Sequence, residues 1–382
     1  MSEFIAYAKQ WIDQEDIDAV VKILNSDWLT QGPAIKQFES DFSQKVGAGY
    51  AVAVSNGTAA LHLSLLALGV GPGDEVITTP NSFLATANAI LYVGATPVFV
   101  DIEMSHFGLD VFKIEAAITA KTKAIIPVHF AGFPVDLSAI HGIASKYRLN
   151  VIEDACHALG ASFKDSKIGD CAYSDCATFS FHPVKHIATG EGGMITTNSK
   201  DIYDQLMMLR THGVTKDRGA LSQNPGPWYY EMQQLGYNYR MTDMQAALGI
   251  SQLKKLDSFV NRRRAIAKQY NNAFLNLDWI VPIKENSDQQ ASYHLYVVQI
   301  DFDKIKKTRT DVMKTLKEKG IGTQVHYIPI IDQPYYKEKV NVKGQFEMVK
   351  HYYKLTLSLP MYPLMSDSEV MRVIQAVGEL YT

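Results

Sequence analysis

The sequence predicts an α/β protein with a large, mainly parallel, seven-stranded sheet that carries helices on both faces, followed by a smaller α+β C-terminal domain. Between residues 50 and 198, short apolar or β-branched runs alternate with turn residues and helical patterns. Most of these runs lack a strict apolar-polar alternation, which is typical of strands buried on both faces. After residue 243 the alternation ends and a long helix-forming stretch begins. This order of elements predicts the fold class.

Seven segments are predicted as strands of the large sheet: 51–54, 75–78, 97–100, 124–128, 150–153, 178–181 and 194–197. Most of them are bounded by Gly, Pro or Asp, the residues that favour turns. Helices are predicted between several of them, at 58–68, 82–92 and 136–147. Because ligands of such sheets usually bind at the carboxyl ends of the strands, we expect the functional site there.

The second half is predicted to contain helices at 244–275, 310–319 and 366–380, with strands at 293–301 and 322–327. We expect a large domain over residues 13–250 and a small domain over 251–382, with residues 1–12 packing on the small one. The basic run at 262–264 is interpreted as a solvated helix face rather than as a nucleic-acid contact, because the whole chain is slightly acidic.

Composition argues against several functional classes. The chain has 382 residues, with 37 Lys plus Arg against 40 Asp plus Glu, so no overall field attracts nucleic acid or an anionic membrane. Its three cysteines, Cys156, Cys171 and Cys176, are too few for a disulfide framework and fit a reducing compartment. The first residues do not resemble a signal peptide, and the most apolar run, 85–100, is too short to span a membrane. We therefore expect a cytoplasmic protein.

The segment from Ser180 to Gly193 carries the strongest chemical signal. Its lysine, Lys185, lies between two predicted buried strands in an apolar, glycine-rich setting. Burial favours the neutral amine, which attacks carbonyls and forms Schiff bases. The glycines after it permit close backbone approach by a ligand or a partner chain. A loop lysine beside a tight turn remains an alternative interpretation of this segment alone.

Asp154 comes directly after another predicted buried strand. Its carboxylate could cap a helix, bind a metal or pair with a cationic ring nitrogen. Together with a Schiff-base lysine the third interpretation becomes specific, because pyridoxal phosphate (PLP) needs an acidic partner that keeps its pyridine nitrogen protonated. The sequence thus favours PLP as cofactor.

Two weaker signals fit the same cofactor. The turn from Ser55 to Thr58 joins a predicted strand to a helix, and its free amides could hold a phosphate. Phe83 follows a strand end and could stack on a flat ring, although a core aromatic is the default interpretation. A zinc site is not expected, because Cys156, His157 and the other two cysteines lack the paired spacing of zinc ligands.

Three motifs in this order resemble one known family: Asn-Gly-Thr at 56–58, Glu-Asp-Ala-Cys-His at 153–157 and Ser-Phe-x3-Lys-x3-Thr-Gly-Glu-Gly-Gly at 180–193. They are similar to those of the DegT/DnrJ/EryC1/StrS sugar aminotransferases, which have the fold type I architecture of PLP enzymes. The resemblance extends from residues 27–32 to residues 324–327.

The resemblance implies a role for each matching position. Lys185, Asp154 and His157 would be catalytic, with Lys185 bonding to the cofactor and moving protons, Asp154 pairing with the pyridine nitrogen and His157 lying near the ring. The other implied contacts are Phe83 on the ring, the amides of Thr58 and Ala59 with the Ser180 hydroxyl on the phosphate, Asn238 on the phosphate of a neighbouring subunit, and Thr30, His326 and Tyr327 on the substrate. The role of Asn238 implies a homodimer with shared sites.

The resemblance also implies the reaction. L-Glutamate would donate an amino group to a 4-keto-6-deoxy nucleotide sugar, with a UDP sugar of pseudaminic acid synthesis as the expected substrate. The alternatives are another keto nucleotide sugar, of the GDP-perosamine, bacillosamine or dTDP-3- or 4-amino type, and PLP-dependent sugar dehydration. Dehydration is disfavoured because the related dehydratases replace the lysine with histidine, whereas Lys185 is present. Segment 216–230 departs from the family motifs near the expected nucleotide contacts.

Overall fold

The computed structural model describes residues 4–340 and 342–381. Its α-helices are α1 Gln14–Leu24, α2 Pro33–Val46, α3 Gly57–Ala67, α4 Leu84–Tyr92, α5 Ile114–Ala117, α6 Leu137–Tyr147, α7 Lys200–Leu209, α8 Asp243–Phe274, α9 Arg309–Glu318, α10 Pro334–Lys339, α11 Glu347–Leu355 and α12 Asp367–Gly378. Its strands are β1 Tyr50–Val54, β2 Glu75–Thr78, β3 Thr96–Phe99, β4 Thr122–Ile126, β5 Asn150–Asp154, β6 Ser162–Phe163, β7 Ser166–Lys167, β8 Cys176–Ser180, β9 Gly193–Thr197, β10 Val214–Thr215, β11 Glu231–Met232, β12 Ile280–Pro282, β13 Gln289–Gln290, β14 Tyr296–Ile300 and β15 Thr356–Leu359.

The seven predicted strands form one sheet in the order β1-β9-β8-β5-β4-β2-β3. Pairing is parallel from β3 through β2, β4 and β5 to β8, whereas β9 is antiparallel to both of its neighbours. The predicted fold class, a mainly parallel sheet in an α/β protein, is confirmed. Each of these seven predicted strands overlaps an observed one, with ends shifted by at most two residues.

Helices cover both faces of the sheet because the strands are apolar on both faces. In β1, Ala51 and Ala53 belong to the core that contains α2 and α6 residues, whereas Val52 and Val54 belong to the core beneath α3 and α4. Helix α3 is buried over most of its length, from Gly57 to Leu65. The continuous apolar runs in the sequence are explained by this burial on two sides.

A three-stranded antiparallel sheet in the second half of the chain has the order β12-β14-β15. It belongs to a third core, which also contains residues of α8, α9, α11 and α12. The predicted strand at 293–301 is found as β14. The strand predicted at 322–327 is wrong: backbone hydrogen bonds of this segment go to two different partners, from the Gly322 amide to the Ile5 carbonyl and from the Gln324 amide to the Ser358 carbonyl. The segment therefore has only an isolated bridge at Gln324.

Helix α8 runs without a break from Asp243 to Phe274. It packs against α1 and α2 in its first part and also contacts β12 and α12. The proposed domain boundary between residues 250 and 251 therefore falls inside a continuous helix. At the N-terminus, Ile5 pairs with Ile321 of the second half. In the described ranges, 4–340 and 342–381, none of the helices combines the length and the apolar character that a membrane crossing requires.

The basic run on α8 differs from the expected solvated face. Arg263 is buried, and its Nη1 donates hydrogen bonds to the carbonyls of Tyr293, His294 and Met361 at 3.2, 3.1 and 2.9 Å. Arg264 donates to the Ala291 carbonyl at 2.9 Å. The interpretation was wrong because net charge says nothing about which carbonyls a helix meets in the folded chain. Hydrogen bonds from this run connect α8 to the segment that precedes β14.

Candidate active site

A cavity of about 470 Å³ opens at the carboxyl ends of the parallel strands. Asp154 ends β5 and Ser180 ends β8, and the turns after β1 and β2 complete the wall on this side. Residues of the second half close the other side. Eight of the predicted site residues line this cavity: Thr58, Phe83, Asp154, His157, Ser180, Lys185, His326 and Tyr327. The site thus lies where the sheet topology predicts it.

Lys185 lies in the loop between β8 and β9, held by a hydrogen bond from its own amide to the His182 carbonyl at 2.8 Å. Burial lowers the pKa of the Lys185 amine, and the nearby Cys156 and Asp154 offset part of this effect. In the described part of the chain, no hydrogen bond or ion pair of the Lys185 amine to another residue is found. Its side chain is therefore an unpaired amine biased toward the neutral, nucleophilic form.

Asp154 is only 5% exposed and faces the same cavity. One carboxylate oxygen, Oδ2, accepts a hydrogen bond from the Thr86 hydroxyl at 2.7 Å. The other, Oδ1, accepts from the Cys156 amide at 3.2 Å. Within residues 4–340 and 342–381 this buried carboxylate has no ion-pair partner. A carboxylate buried in this way is suited to a cationic ligand group.

His157 lies buried deep in the cavity. Its Nδ1 accepts a hydrogen bond from the Ala131 amide at 3.3 Å, and its Nε2 lies 3.2 Å from the Tyr327 hydroxyl. Burial lowers the pKa of His157 well below its usual value, and the charges of Lys185 and His326 lower it further. The imidazole is therefore neutral at physiological pH.

The start of α3, where the sequence predicts phosphate contacts, has one capped amide and two that are free within the described residues. The Asn56 side chain caps this helix by accepting a hydrogen bond from the Ala59 amide at 2.8 Å. The Ala59 amide therefore already has a hydrogen-bond acceptor within the chain, whereas the sequence predicts it as a phosphate contact. No hydrogen bond of the Gly57 or Thr58 amide to a protein acceptor is found in the described part of the chain, and first-turn amides have no partner in their own helix.

Glycine at position 57 allows these amides to approach Ser180. A Cβ atom on Gly57 would lie 2.9 Å from the Ser180 Cβ and 3.2 Å from the Cys156 Sγ. On the other side, a Cβ on Gly193 would lie 2.5 Å from the Asn56 carbonyl oxygen. The approach of a ligand or partner chain to the glycines after Lys185 stays a prediction. What the structure shows is a close approach of these segments within one chain. It brings two free amides and one hydroxyl to the same end of the cavity.

Aromatic and imidazole rings from both halves of the chain line the cavity. Phe83 precedes α4 and leaves 58% of its surface exposed, with its ring centroid 6.2 Å from that of Tyr327. The His326 Nδ1 lies 2.8 Å from the Ser358 hydroxyl. Burial, and then the charge of Lys185, lower the pKa of His326 to about 3. A flat ligand between Phe83 and His157 would thus meet neutral, largely apolar walls.

Three predicted site residues do not line the cavity: Ala59, which lies next to Thr58 in α3, and Thr30 and Asn238, which lie elsewhere. Thr30 is exposed and pairs with Thr242 in an isolated bridge. Asn238 is also exposed, and its backbone pairs with Thr211. Neither lines the cavity of its own chain. The structure of the single chain therefore does not bring these two residues to the site.

Sequence reasoning missed several residues that line the cavity. Thr86 lies in the first turn of α4, and its hydroxyl donates a hydrogen bond to the Asp154 carboxylate. His294 is buried 4.3 Å from His157 between ring centroids, and its Nδ1 has no partner in the described part of the chain. Tyr7 reaches the cavity from the N-terminal segment. The position of Thr86 in the first turn of the helix that follows β2 was a usable signal, whereas Tyr7 and His294 come from distant segments without any local signal.

The residues present fit PLP. An aldehyde requires a neutral amine, a pyridine ring nitrogen requires a carboxylate, and a phosphate requires N–H and O–H donors. The cavity offers the Lys185 amine, the Asp154 carboxylate, and the Gly57 and Thr58 amides with the Ser180 hydroxyl. In contrast, no group of three or more possible metal ligands occurs among the described residues.

Comparison with known proteins gives a family for this arrangement. The model of the DegT/DnrJ/EryC1/StrS aminotransferase family matches residues 10–378. The spore coat polysaccharide biosynthesis protein SpsC of Bacillus subtilis (strain 168) is 44% identical over 381 residues, which cover 99% of this chain and 97% of SpsC.

Solved structures agree with the match. Helicobacter pylori PseC, an aminotransferase involved in the biosynthesis of pseudoaminic acid, is 30% identical with a TM-score of 0.91, and the match covers 99% of both chains. Spr1654 from Streptococcus pneumoniae in its PMP form is 32% identical with a TM-score of 0.92, again over 99% of both chains. The PLP form of Spr1654 has a TM-score of 0.91 at 31% identity and covers 99% of this chain and 100% of its own.

Proposed function

The chain belongs to the DegT/DnrJ/EryC1/StrS aminotransferase family and is a PLP-dependent sugar aminotransferase, and from this premise we propose its substrates. The amino donor is L-glutamate. The acceptor is a 4-keto-6-deoxy UDP sugar, UDP-2-acetamido-2,6-dideoxy-β-L-arabino-hex-4-ulose, on the route to a cell-surface sugar of the pseudaminic acid type. Similarity to PseC over 99% of both chains supports this choice.

The observation that carries the proposed chemistry is the unpaired Lys185 amine in one cavity with the buried Asp154 carboxylate. When bound, PLP supplies an electron sink that stabilises negative charge at the carbon that loses its proton. Lys185 Nζ, with a pKa lowered by burial, is the base that removes the proton from the Cα of glutamate. The same atom then returns a proton at the sugar carbon that receives the amine.

The other residues hold the reacting groups in place. Asp154 would accept the hydrogen bond of the ring nitrogen and keep its proton there. The amides of Gly57 and Thr58, with the Ser180 hydroxyl, would bind the phosphate. Phe83 would lie over one face of the ring. His326 and Tyr327 are proposed to contact the sugar, because both line the cavity from the second half.

The direct test is to assay the purified, PLP-loaded protein with L-glutamate and a panel of UDP, GDP and dTDP 4-keto sugars. We expect the UDP-linked substrate to give the highest kcat/KM, and a product whose mass and NMR spectrum show an amine at C4. A product that has lost water without gaining nitrogen would instead identify a dehydratase. Faster amination of a GDP or dTDP sugar would overturn the proposed substrate but not the family.

Asn238 supports a homodimer with shared sites, because it is exposed and lies outside the cavity of its own chain. We propose that it reaches the phosphate in the partner subunit. Mixing inactive Asn238→Ala and Lys185→Ala proteins would then restore one intact site in each mixed dimer, or up to about a quarter of wild-type activity. No recovery after proven subunit exchange would contradict the sharing of sites.

We also propose that the enzyme works in the cytoplasm. Its three cysteines are free, and two of them, Cys171 and Cys176, are buried. Unpaired cysteines are typical of proteins in a reducing compartment. Fractionation of cells that make the tagged protein tests this, and recovery in a secreted fraction would contradict it.

A further inference from the structure

Two hydroxyl groups and one carboxyl group form a buried hydrogen-bonded chain along one wall of the cavity. The Ser82 hydroxyl lies 2.7 Å from the Thr86 hydroxyl, and the Thr86 hydroxyl lies 2.7 Å from Asp154 Oδ2. All three residues are at least 95% buried. Ser82 and Thr86 lie on either side of the start of α4, which follows β2, whereas Asp154 ends β5, which is separated from β2 by β4.

The direction of these hydrogen bonds follows from the number of protons. An ionised carboxylate can only accept, so the Thr86 hydroxyl must donate its single proton to Asp154. Thr86 then has only lone pairs left for Ser82, and the Ser82 hydroxyl must be the donor in that contact. The chain therefore runs in one direction, from Ser82 through Thr86 to Asp154.

The second oxygen of Asp154 is fixed separately, by the Cys156 amide at 3.2 Å. With one donor on each oxygen, rotation of the carboxylate would break a buried hydrogen bond that water cannot replace. Hydrogen bonds to charged groups are among the stronger ones in proteins. The carboxylate is thus held in one orientation before any ligand binds.

We propose that Thr86 is a positioning residue for Asp154, and that Ser82 in turn positions Thr86. The pair fixes the direction in which the Asp154 carboxylate meets the ring nitrogen of PLP and stabilises its negative charge. This inference rests on the role proposed for Asp154. Loss of the Thr86 hydroxyl should therefore reproduce part of the effect of changing Asp154 itself.

The test uses Thr86→Val, which removes the hydroxyl at nearly constant volume, and Thr86→Ser, which restores it. A matched control is Thr78→Val, because Thr78 is also buried but donates to the Ile126 carbonyl at 2.9 Å and does not line the cavity. Each protein is prepared without cofactor and titrated with PLP. The absorbance of the bound PLP is then followed against pH.

For Thr86→Val we expect PLP affinity to fall about 10-fold and the rate of the half-reaction with glutamate to fall about 10- to 100-fold. The pH midpoint of the absorbance should move in the same direction as in Asp154→Asn. Thr86→Ser should recover most of each property, and Ser82→Ala should show a smaller change in the same direction. Thr78→Val should bind PLP as the wild type does.

Two outcomes overturn the inference at different levels. Wild-type PLP affinity and pH midpoint in Thr86→Val, with both altered in Asp154→Asn, would refute the role of Thr86 alone. Unaltered properties in Asp154→Asn would refute the role proposed for Asp154 as well. If the cofactor-free Thr86→Val melts far below the Thr78→Val control, the comparison is made with Thr86→Ser and Ser82→Ala. In that comparison an unchanged midpoint in Ser82→Ala, equal to that of Thr86→Ser and the wild type, would count against the proposal.

Discussion

Tyr327 and His157 are 170 residues apart in the chain, yet the tyrosine hydroxyl lies 3.2 Å from the histidine Nε2. The Ala131 amide donates to the other ring nitrogen, so the proton of the neutral imidazole must be on Nε2. His157 therefore donates to Tyr327, and the phenol proton remains free for another acceptor. Tyr327 lines the cavity, so this proton is available to a ligand there.

Replacing Tyr327 with Phe removes this donor while keeping the ring. We expect kcat/KM for the keto sugar to fall about 10-fold, the usual effect of losing one hydrogen bond of intermediate strength. Steady-state kinetics with the best substrate of the panel measure the change. Tyr335→Phe is the control, because the Tyr335 side chain is 60% exposed and lies outside the cavity. Equal kcat/KM in both variants would show that the phenol has no role in the reaction.

Replacing Lys185 with Ala should abolish amino transfer without unfolding the protein. Loss of the proton-transferring amine should lower kcat about 100- to 10,000-fold. The fold should persist, because the amine makes no hydrogen bond to another residue in the described part of the chain. Single-turnover amination followed by mass spectrometry measures the rate, and circular dichroism the fold. Lys121→Ala, at an exposed lysine, is the control. Transfer near the wild-type rate in Lys185→Ala would rule out this lysine as the catalytic one.

Four buried histidines should make the cofactor-free protein sensitive to acid. Burial is the main cause that lowers the pKa values of His157, His186, His294 and His326 in the fold. Below a pH of about 6.5 the unfolded chain binds protons at these histidines and the folded chain does not, so stability falls as pH falls. Each contributes at most about 1.4 kcal/mol per pH unit.

Urea unfolding at pH 8 and at pH 5.5 measures this loss. His294→Gln should lose less stability over the interval than the wild type, because it has one such histidine fewer. The value at pH 8, where all four histidines are neutral in both states, separates the packing effect of the substitution from its titration. Identical losses in both proteins would contradict a contribution from His294.

Arg263→Met should be strongly destabilising. The substitution leaves three buried carbonyls, those of Tyr293, His294 and Met361, without their shared donor. We expect a loss of about 3 kcal/mol or more in the free energy of unfolding, measured by urea denaturation. Lys268→Met changes an exposed charge on the same helix and should stay within about 0.5 kcal/mol of the wild type. Similar stabilities for the two variants would show that the carbonyls find other donors.

Local pattern was sufficient to predict much of the fold. The strands of the large sheet are apolar on both faces and end at turn residues, so their positions could be read from consecutive residues. The same holds for the long helix from 243 to 274, which carries a capping box at Thr242 and Gln245. The segment at 322–327 has the composition of a strand, but its backbone hydrogen bonds go to two separate segments, at Ile5 and Ser358, so no continuous strand forms. Both partners are remote in sequence, and local pattern does not reveal them.

The residues that line the cavity were predictable where one short motif contains them, as at Lys185 and Asp154. No such prediction was possible where the function of a side chain depends on what a distant segment offers. The hydroxyl of Thr86, the buried Nδ1 of His294 and the carbonyls that meet Arg263 are all of this kind. At the start of α3, the hydrogen bond from the Ala59 amide to the Asn56 side chain could likewise be found only from side-chain geometry and not from sequence spacing.

Helix α8, with 32 residues, is about 48 Å long and contacts both the α1–α2 side of the large sheet and the small sheet. A wide hinge movement between the two parts would have to bend this helix or break the hydrogen bonds of Arg263 to the segment before β14. Substrate exchange therefore has to rely on local rearrangement at the mouth of the cavity. Small-angle scattering profiles with and without bound nucleotide sugar should accordingly be nearly superimposable.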